Sequence, residues 1–187
     1  GKGKVVGVIG DSTFLHSGIT PLLDMAYNQS DALIIILDNS TTAMTGMQEH
    51  PGTGYTLMGI ETKQVKLENL VSVLGIEHVR VVDPIDQKAT TSAIKEELTK
   101  PGPSVIIARR PCALFKRSHI KPKPALKVDP DKCEGCRVCI GLNCPPISWK
   151  KGATKKGSKR KGVSYIDATL CNGCGLCAQV CKFNAIS

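Results

Sequence analysis

Aromatic residues are scarce in this chain of 187 residues, at 4 % of the total with a single Trp. A nucleic-acid surface that works by base stacking needs aromatics among its basic residues. The basic run that follows Trp149 contains none, so nucleic acid is not the expected partner. Long apolar runs are also missing. The longest, Ala32 to Leu37, falls far short of the ~20 residues that span a bilayer. No leader pattern of charged, apolar and then small residues opens the sequence. These absences predict a cytoplasmic chain with no place in a membrane. Acidic residues are scarce in one region only. Residues 1–111 hold 10 Lys+Arg against 12 Asp+Glu, whereas residues 112–187 hold 15 against 4. So basic a tail predicts an acidic protein partner.

Cysteine, by contrast, is plentiful, and eight of the nine fall into two runs. Cys133, Cys136, Cys139 and Cys144 form C-x2-C-x2-C-x4-C followed by Pro145; Cys171, Cys174, Cys177 and Cys181 form C-x2-C-x2-C-x3-C followed by Lys182. Three thiolates at i, i+3 and i+6 reach three corners of one iron–sulfur cube, and the fourth comes from the other run. The spacing therefore predicts one 4Fe–4S cluster on Cys133, Cys136, Cys139 and Cys181, and a second on Cys171, Cys174, Cys177 and Cys144. Zinc is ordinarily held by two C-x2-C pairs, which these triplets exceed. A disulfide framework suits secreted chains. Cys112, outside both runs, reads as an ordinary small apolar thiol.

In the first stretch, Lys4 to Gly10 is a short β-branched run bounded by glycine and reads as a strand. Ser17 to Tyr27 has apolar residues at helical spacing (Ile19, Leu22, Leu23, Ala26), with Pro21 tolerable in a first turn. Ala32 to Leu37 is a second buried strand. This is a βαβ unit, and Asp11 and Asn39 lie just past its strand ends, at the edge where open parallel sheets place ligands. Two readings stay open on spacing alone. The pair could hold a Mg²⁺ bridging a diphosphate, or Asp11 could cap the helix while Asn39 makes a turn. The β/α alternation continues with a helix over 61–74, a strand over 78–82, a helix over 86–100 with Ala89, Ala93, Ile94 and Leu98 inward, and a strand over 104–108. Asp83 reads as a turn residue.

The sequence around these polar clusters resembles the thiamine-diphosphate-dependent 2-oxoacid:ferredoxin oxidoreductases. Within them it is most similar to the large subunits that act on indolepyruvate. The residues that carry the likeness are Gly10 to Phe14, His16 to Gly18, Leu37 to Asn39, Thr41 to Gly46, Gln48 and His50 to Gly54. They match a G-D-S-T-F, H-S-G, L-D-N, T-T-A-M-T-G-x-Q and H-P-G-T-G series, with Ser12 where the general thiamine motif ends in glycine. The resemblance implies Mg²⁺ bound by Asp11, Asn39 and the Thr41 carbonyl. It puts Gly10, Ser12 and Thr13 near the diphosphate and Gly46 in a loop over the cofactor. His16 and His50 become candidates for substrate or proton handling, with a purely structural role equally open. It further implies coenzyme A and an arylpyruvate as substrates, ferredoxin as electron acceptor, a beta subunit, and upstream domains carrying a glutamate that this sequence does not contain. On that reading the sequence is a C-terminal piece of a larger enzyme. Other 2-oxo acids, or a pure electron-transfer module with an inactive first domain, are the alternatives.

The fold class expected is α/β, a partial thiamine-diphosphate-binding parallel sheet over residues 1–111. A connector rich in Pro and basic residues, 112–126, follows it. A small α+β two-cluster ferredoxin-like domain over 127–187 completes the chain. Val128 to Lys132 and Tyr165 to Thr169 precede the cysteine runs at matching distances, so the module is an internal repeat, each half a strand leading to a cluster loop, with a short helix over 178–183. Its insertion, 149–162, holds seven basic residues between Trp149 and Lys161 and reads as either a solvated loop or a docking site for acidic ferredoxin.

Overall fold

The computed structural model describes residues 3–115, 123–152 and 162–187. It divides into two compact units, Gly1–Ile120 and Lys121–Ser187. The middle of the connector and most of the basic insertion, residues 116–122 and 153–161, lie outside the described residues. No helix among the described residues is long and apolar enough to cross a membrane.

The first unit is a four-stranded parallel sheet in the order β1-β2-β4-β3. Its strands are β1 (Val5–Gly10), β2 (Ala32–Asp38), β3 (His78–Val82) and β4 (Ser104–Arg109). The β-branched runs form strands because both faces of the central pair are covered, and the period of two sorts their side chains. Ile34, Ile36, Val105 and Ile107 share one core with Phe14, Leu22, Leu67 and Val71. Leu33 and Ile106 share another with Ala93 and Ile94 on the opposite face.

Three boundaries differ from the sequence expectation. Helical geometry begins at Asp11 rather than Ser17: Asp11–Thr13 is α-helical, Phe14–Gly18 is a π turn, and Ile19–Tyr27 is α-helical again. Pro21 therefore lies past the first turn, just beyond the π turn, where a looser ladder accommodates its missing N–H. The second helix is Leu67–Val73. Residues 61–66 are drawn into pairing with the preceding loop, since Thr62 N donates to the Gly54 carbonyl and Val65 N to that of Pro51. In the third helix, Gln87–Thr99, Asp86 caps the N-terminus by accepting from Ala89 N. Leu98 and Ala89 face solvent there, and the buried position is Glu97, one turn on from Ala93. Its Oε1 lies 2.8 Å from Lys100 Nζ, and Lys4 Nζ donates to the Glu97 carbonyl. Asp83 is a turn residue, its Oδ1 accepting from Ile85 N.

The second unit contains a hairpin of β5 (Ile147–Lys151) and β6 (Gly162–Ile166) and a short helix, Leu176–Gln179. That helix replaces the expected one over 178–183, because the chain turns at Val180 to present Cys181. Only Val128 of the first expected strand pairs, in an antiparallel bridge to Ile186. The repeat is visible in its hydrogen bonds. Cys133 N donates to the Asp129 carbonyl as Cys171 N does to that of Asp167. The Asp129 and Asp167 side chains each accept from the amide two residues on. Gly135 and Gly173 are both left-handed, as are Arg137 and Gly175. Gly173 is further confined, since a Cβ there would sit 2.6 Å from the Pro124 carbonyl oxygen. Gly173→Ala should therefore destabilise this unit by ~1–3 kcal/mol, the usual penalty for overpacking. Chemical denaturation of the unit measures it, and an unchanged midpoint would show that the loop yields freely.

Candidate functional sites

The first site forms where β1 and β2 end. Asp11 follows Gly10 directly and is 3 % exposed. Its Oδ1 accepts from Ser12 N at 2.7 Å and its Oδ2 from Ser40 N at 3.1 Å, so one carboxylate ties the two strand ends together. Ser40 adopts a left-handed backbone (φ 63°) to make this bend. Asn39 Oδ1 accepts from Thr41 N at 3.2 Å, as a turn-forming residue does, while its carbonyl accepts from Cys112 N. Thr41 is fully buried, and its carbonyl receives Ala43 N. Thr42 Oγ1 donates to Ser12 Oγ at 3.0 Å, bringing the loop after β2 against the start of the first helix. Gly46 closes that loop in a left-handed turn, and Thr13 is exposed beside Ser12.

The two histidines separate. His16 is exposed on the π turn and is not among the residues that meet Asp11. His50 is buried, with Nε2 3.4 Å from Asp11 Oδ2. Gly52 N donates to its Nδ1 at 3.1 Å, which leaves the proton of a neutral ring on Nε2, facing the carboxylate. Gly52 can approach because it has no Cβ, which would lie 3.0 Å from the ring. Burial alone would raise the Asp11 pKa. His50 and the amides of Ser12 and Ser40 outweigh it and hold the carboxyl below the usual carboxylate range. His50 Nε2 is otherwise without a hydrogen-bond partner among the described residues. An ionised carboxylate, a neighbouring amide oxygen and a carbonyl are a donor set that suits a small hard cation.

Sequence reading missed the group that braces this edge. Arg109, one residue past the strand expected over 104–108, ends β4. Its Nε donates to Asp38 Oδ2 and its Nη2 to Glu68 Oε2, both at 2.6 Å. The available signal was register: Asp38 and Arg109 are opposite charges paired across adjacent parallel strands.

Two separate cavities of the second unit lie among its described cysteines. One, lined by Cys133, Cys136, Cys139 and Cys181, also touches Ser164 and Ala185. The other, about 330 Å³, is lined by Cys144, Cys171, Cys174 and Cys177 together with Leu126 and Pro146. In each, three cysteines of one run meet the last cysteine of the other. Burial raises the Cys144 and Cys177 thiols, and the nearby Cys174 and Cys171 raise them further, Cys177 to about 11. Such crowded thiols ionise readily only beside a compensating positive centre. Among the described residues no three His, Cys, Asp or Glu side chains converge as they would on one ion. Four thiols spread around each cavity suit a polynuclear group instead.

Residues 1–108 match the thiamine pyrophosphate enzyme, C-terminal TPP binding domain. The chain belongs to the thiamine pyrophosphate enzymes. Residues 164–187 of this thiamine pyrophosphate enzyme chain match the 4Fe-4S binding domain. It is similar over 99 % of its length to indolepyruvate oxidoreductase subunit IorA of Thermococcus kodakarensis and of Pyrococcus abyssi, at 44 % identity to each. The subunit of the same name from Archaeoglobus fulgidus is 41 % identical over 98 % of the chain. The chain spans 28 % of the length of each of these relatives.

Proposed function

We propose that this chain is the C-terminal portion of an indolepyruvate:ferredoxin oxidoreductase large subunit. The complete enzyme would convert an arylpyruvate, coenzyme A and oxidised ferredoxin to the aryl-acetyl-CoA, CO₂ and reduced ferredoxin. The observation that carries this reading is the likeness to the IorA subunits over nearly the whole chain, which joins a thiamine-type sheet edge to two cysteine-lined cavities in one polypeptide.

When bound, thiamine diphosphate supplies the carbanion for decarboxylating a 2-oxo acid, and two 4Fe–4S clusters supply one-electron acceptors. The chain's own residues hold and orient them. Asp11, Asn39 and the Thr41 carbonyl would carry Mg²⁺, with Gly10, Ser12 and Thr13 beside the diphosphate and Gly46 in the loop over it. His50 keeps the Asp11 carboxylate charged. His16, being exposed, would act at most on a substrate group that reaches it from outside this edge. Cys133, Cys136, Cys139 and Cys181 would hold one cluster, and Cys171, Cys174, Cys177 and Cys144 the other. The domain limits proposed are 1–111, 112–126 and 127–187. A beta subunit and the N-terminal part that the relatives' greater length accommodates would complete the substrate site. The nine unpaired cysteines support a reducing, cytoplasmic setting.

The test is anaerobic isolation followed by an activity panel on the assembled complex. About eight irons per chain are expected from two cubes, with arylpyruvates turned over ahead of pyruvate and branched-chain acids. Iron far below eight after reconstitution would remove the two-cluster reading, and a preference for pyruvate would remove the substrate class. If the basic insertion docks an acidic ferredoxin, added salt should slow ferredoxin reduction more than dye reduction.

A further inference from the structure

The two cavities are halves of one repeat, yet their sulfurs are not treated alike. In the first cavity, Ser164 Oγ lies 3.1 Å from Cys139 Sγ, both buried. A metal-bound thiolate has no proton, so in the loaded protein the hydroxyl is the donor. Ala185 N also donates, to Cys181 Sγ at 3.3 Å. The repeat gives each donor a counterpart. Cys133 corresponds to Cys171, an offset of 38 that pairs Ser164 with Leu126. The Ala185 and Pro146 carbonyls accept from Asp129 N and Asp167 N respectively, which pairs Ala185 with Pro146.

Both counterparts line the second cavity, as Ser164 and Ala185 line the first. Neither can donate in the same way: the leucine side chain has no polar hydrogen, and proline has no N–H. The amides of Cys177 and Ala178 act on Cys177 in the second cavity, and the same places in the first run, Cys139 and Ile140, also carry N–H groups; the donors without any counterpart are Ser164 and the Ala185 amide. The nearby charges are of opposite sign. Arg137, stacked over the Trp149 ring at 4.2 Å, and Glu134 both line the first cavity, where Gly175 and Asn172 stand in the second.

Hydrogen bonds to cluster sulfurs stabilise the reduced, more negative state and so raise the reduction potential. We propose that the two clusters sit at unequal potentials. The cluster on Cys133, Cys136, Cys139 and Cys181 is the higher, set by Ser164 and the Ala185 amide against Leu126 and Pro146. This rests on the two-cluster reading above. One electron delivered by dithionite, which is oxidised, then settles on the first cluster and reduces it while the second stays oxidised.

The test is an anaerobic redox titration of the iron-loaded full chain, followed by electron paramagnetic resonance. Wild-type protein should titrate in two separated steps. Ser164→Ala should lower the higher potential by tenfold or more in reduction equilibrium constant, 59 mV for one electron, and leave the lower one in place. Ser164→Thr, which keeps the hydroxyl, should restore it. Leu126→Ser and Pro146→Ala, which add a donor to the second cavity, should raise the lower potential and narrow the gap. A single wild-type step, or a Ser164→Ala that moves both potentials equally or neither, overturns the proposal. So does a pair of second-cavity variants that raise neither potential, and these decide the matter if Ser164→Ala fails to hold iron. Failure of the two-cluster reading is distinguishable, because iron content would fall far below eight per chain before any potential is read.

Discussion

Replacing Cys144 with serine should remove about half of the iron from this chain, from about eight atoms to about four. The iron lost should be that of the loop formed by Cys171, Cys174 and Cys177, although Cys144 is 27 residues before the first of them. The basis is the composition of the cavities: Cys144 lines the one with the second triplet, and Cys181 lines the one with the first. Cys181→Ser should therefore empty the opposite cavity. Iron analysis with Mössbauer or paramagnetic resonance spectra of both variants checks this. If Cys144→Ser instead disturbed the cluster of Cys133, Cys136 and Cys139, each run would be holding its own cube. Cys112→Ser, outside both cavities, should leave the iron unchanged.

The second large effect concerns the thiamine-binding unit. Arg109→Met should lower its stability by about 2–4 kcal/mol, somewhat less than the ~3–5 for breaking a fully buried ion pair. The reduction reflects the third of the Arg109 and Glu68 side chains that stays exposed, whereas Asp38 is 9 % exposed and would be left charged without its partner. Glu68→Gln, which removes only the outer partner, should cost under ~1 kcal/mol. Urea unfolding followed by helical signal separates the two, and equal costs would show that Asp38 does not depend on Arg109. The pH profile follows from the same contact. Hydrogen bonds from Arg109 hold the Glu68 carboxyl below its ordinary range. Its contribution is complete above the unfolded pKa and is lost as pH falls through the depressed folded value. In the Arg109 variant this acid-side loss should flatten.

The strands were legible in the sequence because parallel strands buried on both faces are short, unbroken β-branched runs, and 78–82 and 104–108 needed almost no correction. The cysteine spacing was legible because thiolate geometry is local. What escaped depended on distant partners. Residues 61–66 have helical periodicity but are taken up by hydrogen bonds to Pro51 and Gly54. Leu98 was expected inward, whereas the buried neighbour is Glu97, which Lys100 and Arg80 neutralise in place. Arg109 was hidden by the prolines and lysines after it. Within the site, Asp11 and Asn39 could be named from strand-end position. The bond from Ser40 N to Asp11, and the choice of His50 over His16 as the aspartate's neighbour, depend on how residues 40–52 fold back.

One edge of the parallel sheet is open among the described residues. Among the described residues β1 pairs only with β2, and Val5, Val6 and Val8 on it are largely solvent-facing. An apolar strand edge left unpaired on one side is a template for whatever extended chain arrives first. At that border two copies of the chain would behave like the halves of a zipper, and Val8→Lys should keep the teeth from catching on one another.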